Sequence, residues 1–239
     1  MRRFYAPLAA SSDKWVTLSP DETRHLRDVL RLRVGDEVFV FDGTKREFRC
    51  LISVIEKRRS VLEIIEETEP AAGESPLEIS VAATILNGER YDLIVQKAVE
   101  LGVARFIPLQ TNRCEVKLKD AGKRVERWQR IALEATKQSG RARVMEIDDP
   151  VSFEELVTDM DPKTSVLFSE RDGSDFSTVS IERKVLSVYG PKGGWDDSEL
   201  EAARRRGVSV VTLGGRILRA ETASIAITAI LQHRFGDLN

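Results

Sequence analysis

The sequence predicts an α/β protein in which a parallel-sheet domain follows a smaller, mostly β module. Three observations predict it. From about residue 78 onward, short β-branched runs alternate with stretches of helical length, the pattern of a parallel sheet covered on both faces. Before residue 66, short strand-like runs separated by turn signals read as a β-meander. Between the two lies "ETEPAAGESP", residues 67–76, rich in Pro, Gly, Ala and acids, which reads as a linker. With 239 residues, 41% of them hydrophobic and 32% charged, the chain has enough apolar material for two modest cores. The expected division is 1–70 for the first module, 71–77 for the linker and 78–239 for the sheet domain.

The elements follow in chain order. "LSPDETRHLRDVLRLRVGDEVFVFDG" opens with a helix-start signature: Ser19 to cap, Pro20 at the first helical position and Glu22 to complete a capping box. Leu26, Val29 and Leu30 form its inward stripe, and Gly35 is expected to end it. Arg24, Arg27 and Arg31 stand three and four residues apart, which puts them on one face of such a helix. Strands are expected at 38–41, 48–54 and 61–65, with an Asp42-Gly43 turn after the first. Beyond the linker, strands are expected at 79–85, 105–109, 165–168, 186–189 and 208–213. Helices are expected at 91–101, 122–139, 152–160, 197–206 and 220–235.

Composition narrows the function classes. The only cysteines are Cys50 and Cys114 and the only histidines His25 and His233, so neither a disulfide framework nor a metal site is expected. The opening "MRRFYAPLAA" makes a poor signal peptide, because its apolar stretch is short and broken by Pro7. The longest uncharged run, 222–232, is too short to span a membrane. A reduced, cytoplasmic protein is the expectation. The formal net charge of −2 conceals a polarised distribution. Residues 117–143 carry about +6 and residues 144–182 about −9 by counting charged side chains. A solvated helix face followed by an acidic region explains these blocks as well as a polyanion-binding surface does.

In an open α/β sheet, ligands bind outside the carboxyl ends of the strands, and three such ends are unusual here. "VLFSE" delivers Phe168 and Glu170. "SVYGPKGGWDDSE" delivers Tyr189, Gly190, Pro191, Gly193 and Gly194 in a sharp loop, before a helix capped by Asp196 with Glu199. "VVTLGGRILRAETASIAITAIL" places Gly214, Gly215, Arg216 and Arg219 between a strand ending at Leu213 and an apolar helix. Paired glycines let backbone groups approach a ligand closely, so two such loops can cradle an adenine and a ribose. Ordinary turns are the competing reading. The P-loop pattern is absent, and the nearest look-alike, 35–45, has the wrong spacing. The G-x-G-x-x-G fingerprint is absent too. Those absences argue against a nicotinamide enzyme and a Rossmann-type methyltransferase, but not against a cofactor without phosphate, such as S-adenosylmethionine.

"YGPKGGWDDSEL", followed further on by "TLGGRILRAETASIAI", resembles the SPOUT class of RNA methyltransferases. Within that class it is similar to the RsmE family, which methylates N3 of a uridine in 16S ribosomal RNA. "RHLRDVLRLRVGDEVFVFDG", "QKAVELGVARFIPLQTNRC" and "RWQRIALEATKQSGRARVMEI" agree, so the resemblance covers nearly the whole chain. It implies an N-terminal PUA-like β-barrel for RNA, a C-terminal trefoil-knotted domain and a homodimer joined through the knotted domain. It implies that loops 190–194 and 213–219 hold S-adenosylmethionine, which adds Ile217, Leu218 and Arg219 to the binding residues. The implied substrate is the decoding region of the small ribosomal subunit. Lys192 departs from the family's usual Glu, and Trp195 and Asp196 from its usual Phe and Ser.

Uridine N3–H is a weak acid, so its methylation needs the proton removed or the anion stabilised. Arg219 is the candidate for stabilising that anion and Glu221 for a general base, although a glutamate in a first helical turn is favourable in itself. For phosphate contacts the candidates are Arg2, Arg3, Arg24, Arg27 and Arg31, with Arg127, Arg130 and Lys137 from the basic segment. Two rivals stand beside this reading: a SPOUT enzyme acting on a ribose 2′-oxygen, and a non-catalytic RNA-binding assembly factor.

Overall fold

The apolar residues of the N-terminal region close over one sheet. The computed structural model describes residues 2–7, 14–116 and 121–238. Strands β1 (Arg3–Tyr5), β2 (Trp15–Leu18), β3 (Glu37–Phe41), β4 (Glu47–Ile55) and β5 (Ser60–Thr68) lie in the order β1-β3-β4-β5-β2. All pair antiparallel except β1, which runs parallel to β3 with Phe4 opposite Val40. Along β4 the period of two sends Phe48, Cys50 and Ile52 into the core. Register shifts at Arg49/Cys50 and Ile52/Val54 bend this strand, and the curled sheet encloses Phe4, Leu18, Leu26, Val38 and Leu62. β1 and β2 escape sequence reading because so few residues carry no visible alternation.

The helix of this unit departs from expectation. Ser19 does cap α1 (Pro20–Arg24), its Oγ accepting the Glu22 N–H at 3.2 Å. Glu22 closes no capping box; its carboxylate is buried and accepts from the Lys137 ammonium and from the Tyr5 N–H at 3.5 Å. After Arg24 the backbone widens into one π turn, His25–Val29, capped by Leu30, and Arg31 adopts a left-handed φ of 52°. The helix therefore ends at Leu30 rather than at Gly35. Because the wider turn breaks the three-and-four spacing, Arg31 does not share a helical face with Arg24 and Arg27.

A second correction concerns Arg3 and Lys137. The first unit comprises Met1–Glu74 together with Thr136–Val144, and both residues serve its packing. Arg3 is 4% exposed. Its Nε donates to Glu47 Oε1 at 2.6 Å, and its other nitrogens donate to the carbonyls of Lys137 at 3.3 Å and Arg141 at 3.0 Å. The guanidinium lies 4.8 Å from the Phe41 ring centroid. Glu47 Oε2 accepts the Ala71 N–H at 3.0 Å, and Arg141 pairs with Glu74 at 2.7 Å. Arg3 is thus consumed by internal acceptors and Lys137 by Glu22, so neither is a phosphate contact.

The second unit, Ser75–Ala135 and Met145–Asn239, is built on a fully parallel sheet. Its strands are β6 (Glu78–Thr84), β7 (Arg105–Gln110), β8 (Glu146–Ile147), β9 (Val151–Ser152), β10 (Ser165–Phe168), β11 (Ser174–Asp175), β12 (Lys184–Tyr189) and β13 (Ser209–Thr212). The order is β11-β13-β10-β12-β6-β7-β8, with β9 also on β7. Alternate residues enter opposite layers. Val81, Val166, Val185 and Val211 pack under α2 (Glu89–Glu100), α3 (Ala121–Ser139) and α6 (Ala220–Phe235), whereas Ala82, Leu167, Val188 and Val210 pack under α4 (Phe153–Asp159) and α5 (Asp197–Arg205). Both faces are covered, which is why these strands read as nearly continuous apolar runs. Among the described residues, no helix is long and apolar enough to cross a membrane.

Candidate functional site

β13, β10 and β12 are neighbours, so their carboxyl ends emerge side by side. Phe168 at the end of β10 is in register with Tyr189 at the end of β12, and their rings stack with centroids 5.6 Å apart at 14°. The loops that follow enclose a cleft of about 190 Å³. Its floor is Phe168 and Tyr189, one wall is Gly190, Pro191, Lys192, Gly194 and Trp195, and the other is Thr212–Leu218. The start of α6 closes it with Ala220, Ala223 and Ile227. Strand order alone produces this convergence, as expected for an open parallel sheet.

The floor is chemically quiet. Burial pushes the Tyr189 phenol up to about 12, and its hydroxyl is within 3.1 Å of Thr228 Oγ1 on α6. Tyr189 is therefore a protonated wall at neutral pH rather than an acid–base group. Trp195 is fully buried and its indole N–H donates to the Phe168 carbonyl at 2.8 Å. The charged lining consists of Glu170, Lys192 and Arg216. Glu170 Oε1 lies 3.4 Å from Arg171 Nε, and Lys192 Nζ donates to Glu115 Oε1 at 3.3 Å.

Two glycines of the first loop are demanded, Gly190 by packing and Gly194 by its backbone. A Cβ on Gly190 would lie 2.7 Å from Trp195 Nε1 and 2.8 Å from its Cε2. Gly194 has φ +73°, and a Cβ there would lie 2.3 Å from Glu170 Oε1. Gly190→Ala is expected to destabilise the protein by about 1–3 kcal/mol, the usual range for overpacking, because the fully buried indole has no room to retreat. Urea denaturation checks this, and an unchanged midpoint would show that Trp195 can move.

The candidate cofactor residues fall mostly in one place. Phe168, Glu170, Tyr189, Gly190, Pro191, Gly194, Leu213, Gly214, Ile217 and Leu218 all line the cleft, but Gly193 and Arg219 do not. The Gly193 carbonyl instead accepts from Arg113 at 3.3 Å. Arg219 is the N-cap of α6, between the lining residues Leu218 and Ala220. Glu221 is also outside the lining and faces Arg90 at 4.0 Å. Sequence reading missed Ser169, Trp195, Thr212, Ala220, Ala223 and Ile227 as lining residues. The small Ala220 and Ala223, one helical turn apart, are the signal that could have found that face.

The basic candidates are spread over the two units. In the first unit, Arg24 pairs with Asp21 at 2.8 Å, Arg27 with Asp28 at 2.6 Å and Arg2 with Asp36 at 3.9 Å, while Arg31 is exposed. In the second, Arg127 pairs with Asp92 at 2.6 Å and Arg130 is exposed.

The parallel-sheet domain with its strand-end cleft and the curled β module before it match two family models, and these define an RNA-modifying class of protein. A model described as an RNA methyltransferase domain matches residues 73–232, and one described as an RNA methyltransferase PUA domain matches residues 18–65. Ribosomal RNA small subunit methyltransferase E of Bacillus subtilis is 31% identical over 227 residues, covering 90% of this chain and 88% of its own length. Among solved structures, the protein of the same name from Neisseria gonorrhoeae, bound to S-adenosyl methionine, is 36% identical with a TM-score of 0.91 over 100% of both chains. A methyltransferase from Legionella pneumophila with bound SAM is 32% identical with a TM-score of 0.91, covering 100% of this chain and 99% of its own. The chain belongs to the ribosomal RNA small subunit methyltransferase E family.

Proposed function

We propose that this protein uses S-adenosylmethionine to methylate N3 of a specific uridine in 16S ribosomal RNA, in the decoding region of the small subunit. The observation that carries the reading is the cleft formed by two glycine loops at the adjoining ends of β10, β12 and β13. Family membership and the SAM-bound relatives support the cofactor and the class of reaction.

The residues present suit that cofactor. Gly214 borders the cleft with no atom within 4 Å of where a Cβ would stand, so its backbone is open to a ligand edge. Leu213, Leu218 and Ile227 offer apolar contact, Glu170 an acceptor for hydroxyl groups, and Lys192 and Arg216 cations for a carboxylate. When bound, S-adenosylmethionine supplies an electrophilic methyl group on a positively charged sulfur. Arg219, at the N-cap of α6, is the cation assigned in this reading to stabilise a uracil anion, and the N3 proton leaves to water. Glu221, turned toward Arg90, serves the first turn of α6 rather than acting as the base.

Transfer of labelled methyl to small subunits and to free 16S RNA, followed by nucleoside analysis, tests the reading. 3-Methyluridine is the expected product. A ribose-methylated nucleoside would favour the 2′-oxygen rival, and cofactor binding without transfer to either substrate would favour the assembly factor.

The proposal includes a cytoplasmic homodimer joined through the second unit and a trefoil knot. The half-exposed Leu93 on α2 and Ile230 on α6 support the dimer. The chain's passage from β12 past β10 to β13 supports a crossing there. For RNA, charge reversal at Arg27 with Arg31, or at Arg127 with Arg130, is expected to weaken binding uniformly across sequences. Each lost phosphate contact lowers the salt slope of log K by about 0.7–0.9. Cofactor affinity should persist, and an unchanged slope would remove these arginines from the interface.

A further inference from the structure

The loop after β7, residues 112–115, lines no part of the cleft, yet it is bonded to the stretch that forms one wall. The Asn112 backbone N–H donates to Glu199 Oε1 at 2.9 Å, and the Asn112 side-chain amide donates to Ser198 Oγ at 3.3 Å. Arg113 donates to the Gly193 carbonyl at 3.3 Å and to Asp196 Oδ2 at 3.3 Å. The stem of Arg113 runs beside Gly193, where a Cβ would lie 3.7 Å from Arg113 Cβ. Glu199 is 4% exposed, and its other oxygen accepts the Asp196 N–H at 3.0 Å. One buried carboxylate thus ties the loop after β7 to the start of α5.

We propose that Arg113, working with Glu199, is a positioning residue that holds the glycine loop 190–194 in the shape that receives the cofactor. It acts through the Gly193 carbonyl and Asp196 and does not touch the ligand. The proposal rests on the reading of the cleft as the S-adenosylmethionine site. Its physical basis is entropy. Gly190, Gly193 and Gly194 give this loop more backbone freedom than any other residue type would. Binding to a loop that is only fractionally in the competent conformation is weakened by that fraction. A guanidinium holds its donors in a rigid planar fork, as an ammonium on a flexible stem does not, so Arg113, bonded to the Gly193 carbonyl and to Asp196, fixes the loop and the α5 cap together. The neighbouring Lys192–Glu115 pair joins two exposed ends through one contact at 3.3 Å, whereas Arg113, 45% exposed, makes two at that distance.

The test compares the full-length wild type with Arg113→Ala and Arg113→Lys. Three readouts are taken: calorimetric titration with S-adenosylmethionine, hydrogen exchange of the 190–196 amides without ligand, and kcat and KM for S-adenosylmethionine on small subunits. For R113A, Kd and KM are expected to rise about tenfold together, the scale of one or two lost hydrogen bonds. Exchange at 190–196 should accelerate and kcat should stay within about twofold at saturating cofactor. R113K, keeping the charge but losing the rigid fork, should fall between. Should R113A prove unstable, R113K carries the same readouts. A fall in kcat at unchanged KM, or weaker binding without faster exchange in the loop, overturns the proposal. Gly214→Val separates the two readings: if it abolishes binding while R113A leaves Kd unchanged, the cleft assignment stands and the positioning role falls. If Gly214→Val binds as the wild type does, the cleft assignment falls and the positioning role with it.

Discussion

Gly214→Val is expected to weaken S-adenosylmethionine binding by at least about 100-fold, close to 2.8 kcal/mol at about 1.4 kcal/mol per tenfold, while the melting temperature stays where it was. Both halves follow from the geometry. Gly214 lines the cleft, and nothing lies within 4 Å of the position its Cβ would occupy. A side chain there starts from open space at the edge of the cleft, where it competes with a ligand before it meets the fold. Its backbone is outside the left-handed region that Gly194 and Gly215 occupy at φ +73° and +99°, so a valine adds no strain of that kind. Calorimetric titration beside a thermal melt measures both quantities. Wild-type affinity in the variant would move the cofactor site elsewhere.

Arg3→Ala is expected to cost about 3–5 kcal/mol of stability, the range for breaking a buried ion pair by removing one partner. Arg3 and Glu47 have side chains 1% and 2% exposed, so the carboxylate left behind is buried without its cation. The carbonyls of Lys137 and Arg141 lose their donor at the same time. Urea denaturation of the whole chain, followed by the transition of the first unit, measures the loss. Replacing both partners with apolar residues of similar volume, as in Arg3→Met with Glu47→Leu, should recover much of it. A loss below about 1 kcal/mol for Arg3→Ala would place the pair with exposed ion pairs.

Much of this architecture was legible before any coordinates. The longer strands and the helices of the second unit are legible because both sheet faces are buried, whereas β8, β9 and β11, of two residues each, carry no readable alternation. The loops 190–194 and 213–219 stood out because glycine pairs at strand ends are locally conspicuous. Within the first unit, reading failed where a local rule met a tertiary demand. Glu22 has the spacing of a capping box, but Lys137 and the Tyr5 N–H compete for its carboxylate and win. Arg24, Arg27 and Arg31 have helical spacing, but a π turn and a left-handed Arg31 undo it. Arg3, in a basic N-terminal stretch, reads as a surface charge until Glu47 and two carbonyls are seen around it.

The sequence by itself determined the α/β class, the order of its longer elements and the two loops around which a site forms, because periodicity and glycine placement are local properties of the chain. Only the tertiary structure decided which charges face solvent, which residues complete the cleft and what holds its wall. Arg113 meets the Gly193 carbonyl across 80 residues, Asn112 meets Glu199 across 87, and Trp195 reaches back to the Phe168 carbonyl across 27. A charge or ring is committed by the partner that folding brings to it, and no spacing along the sequence records that partner.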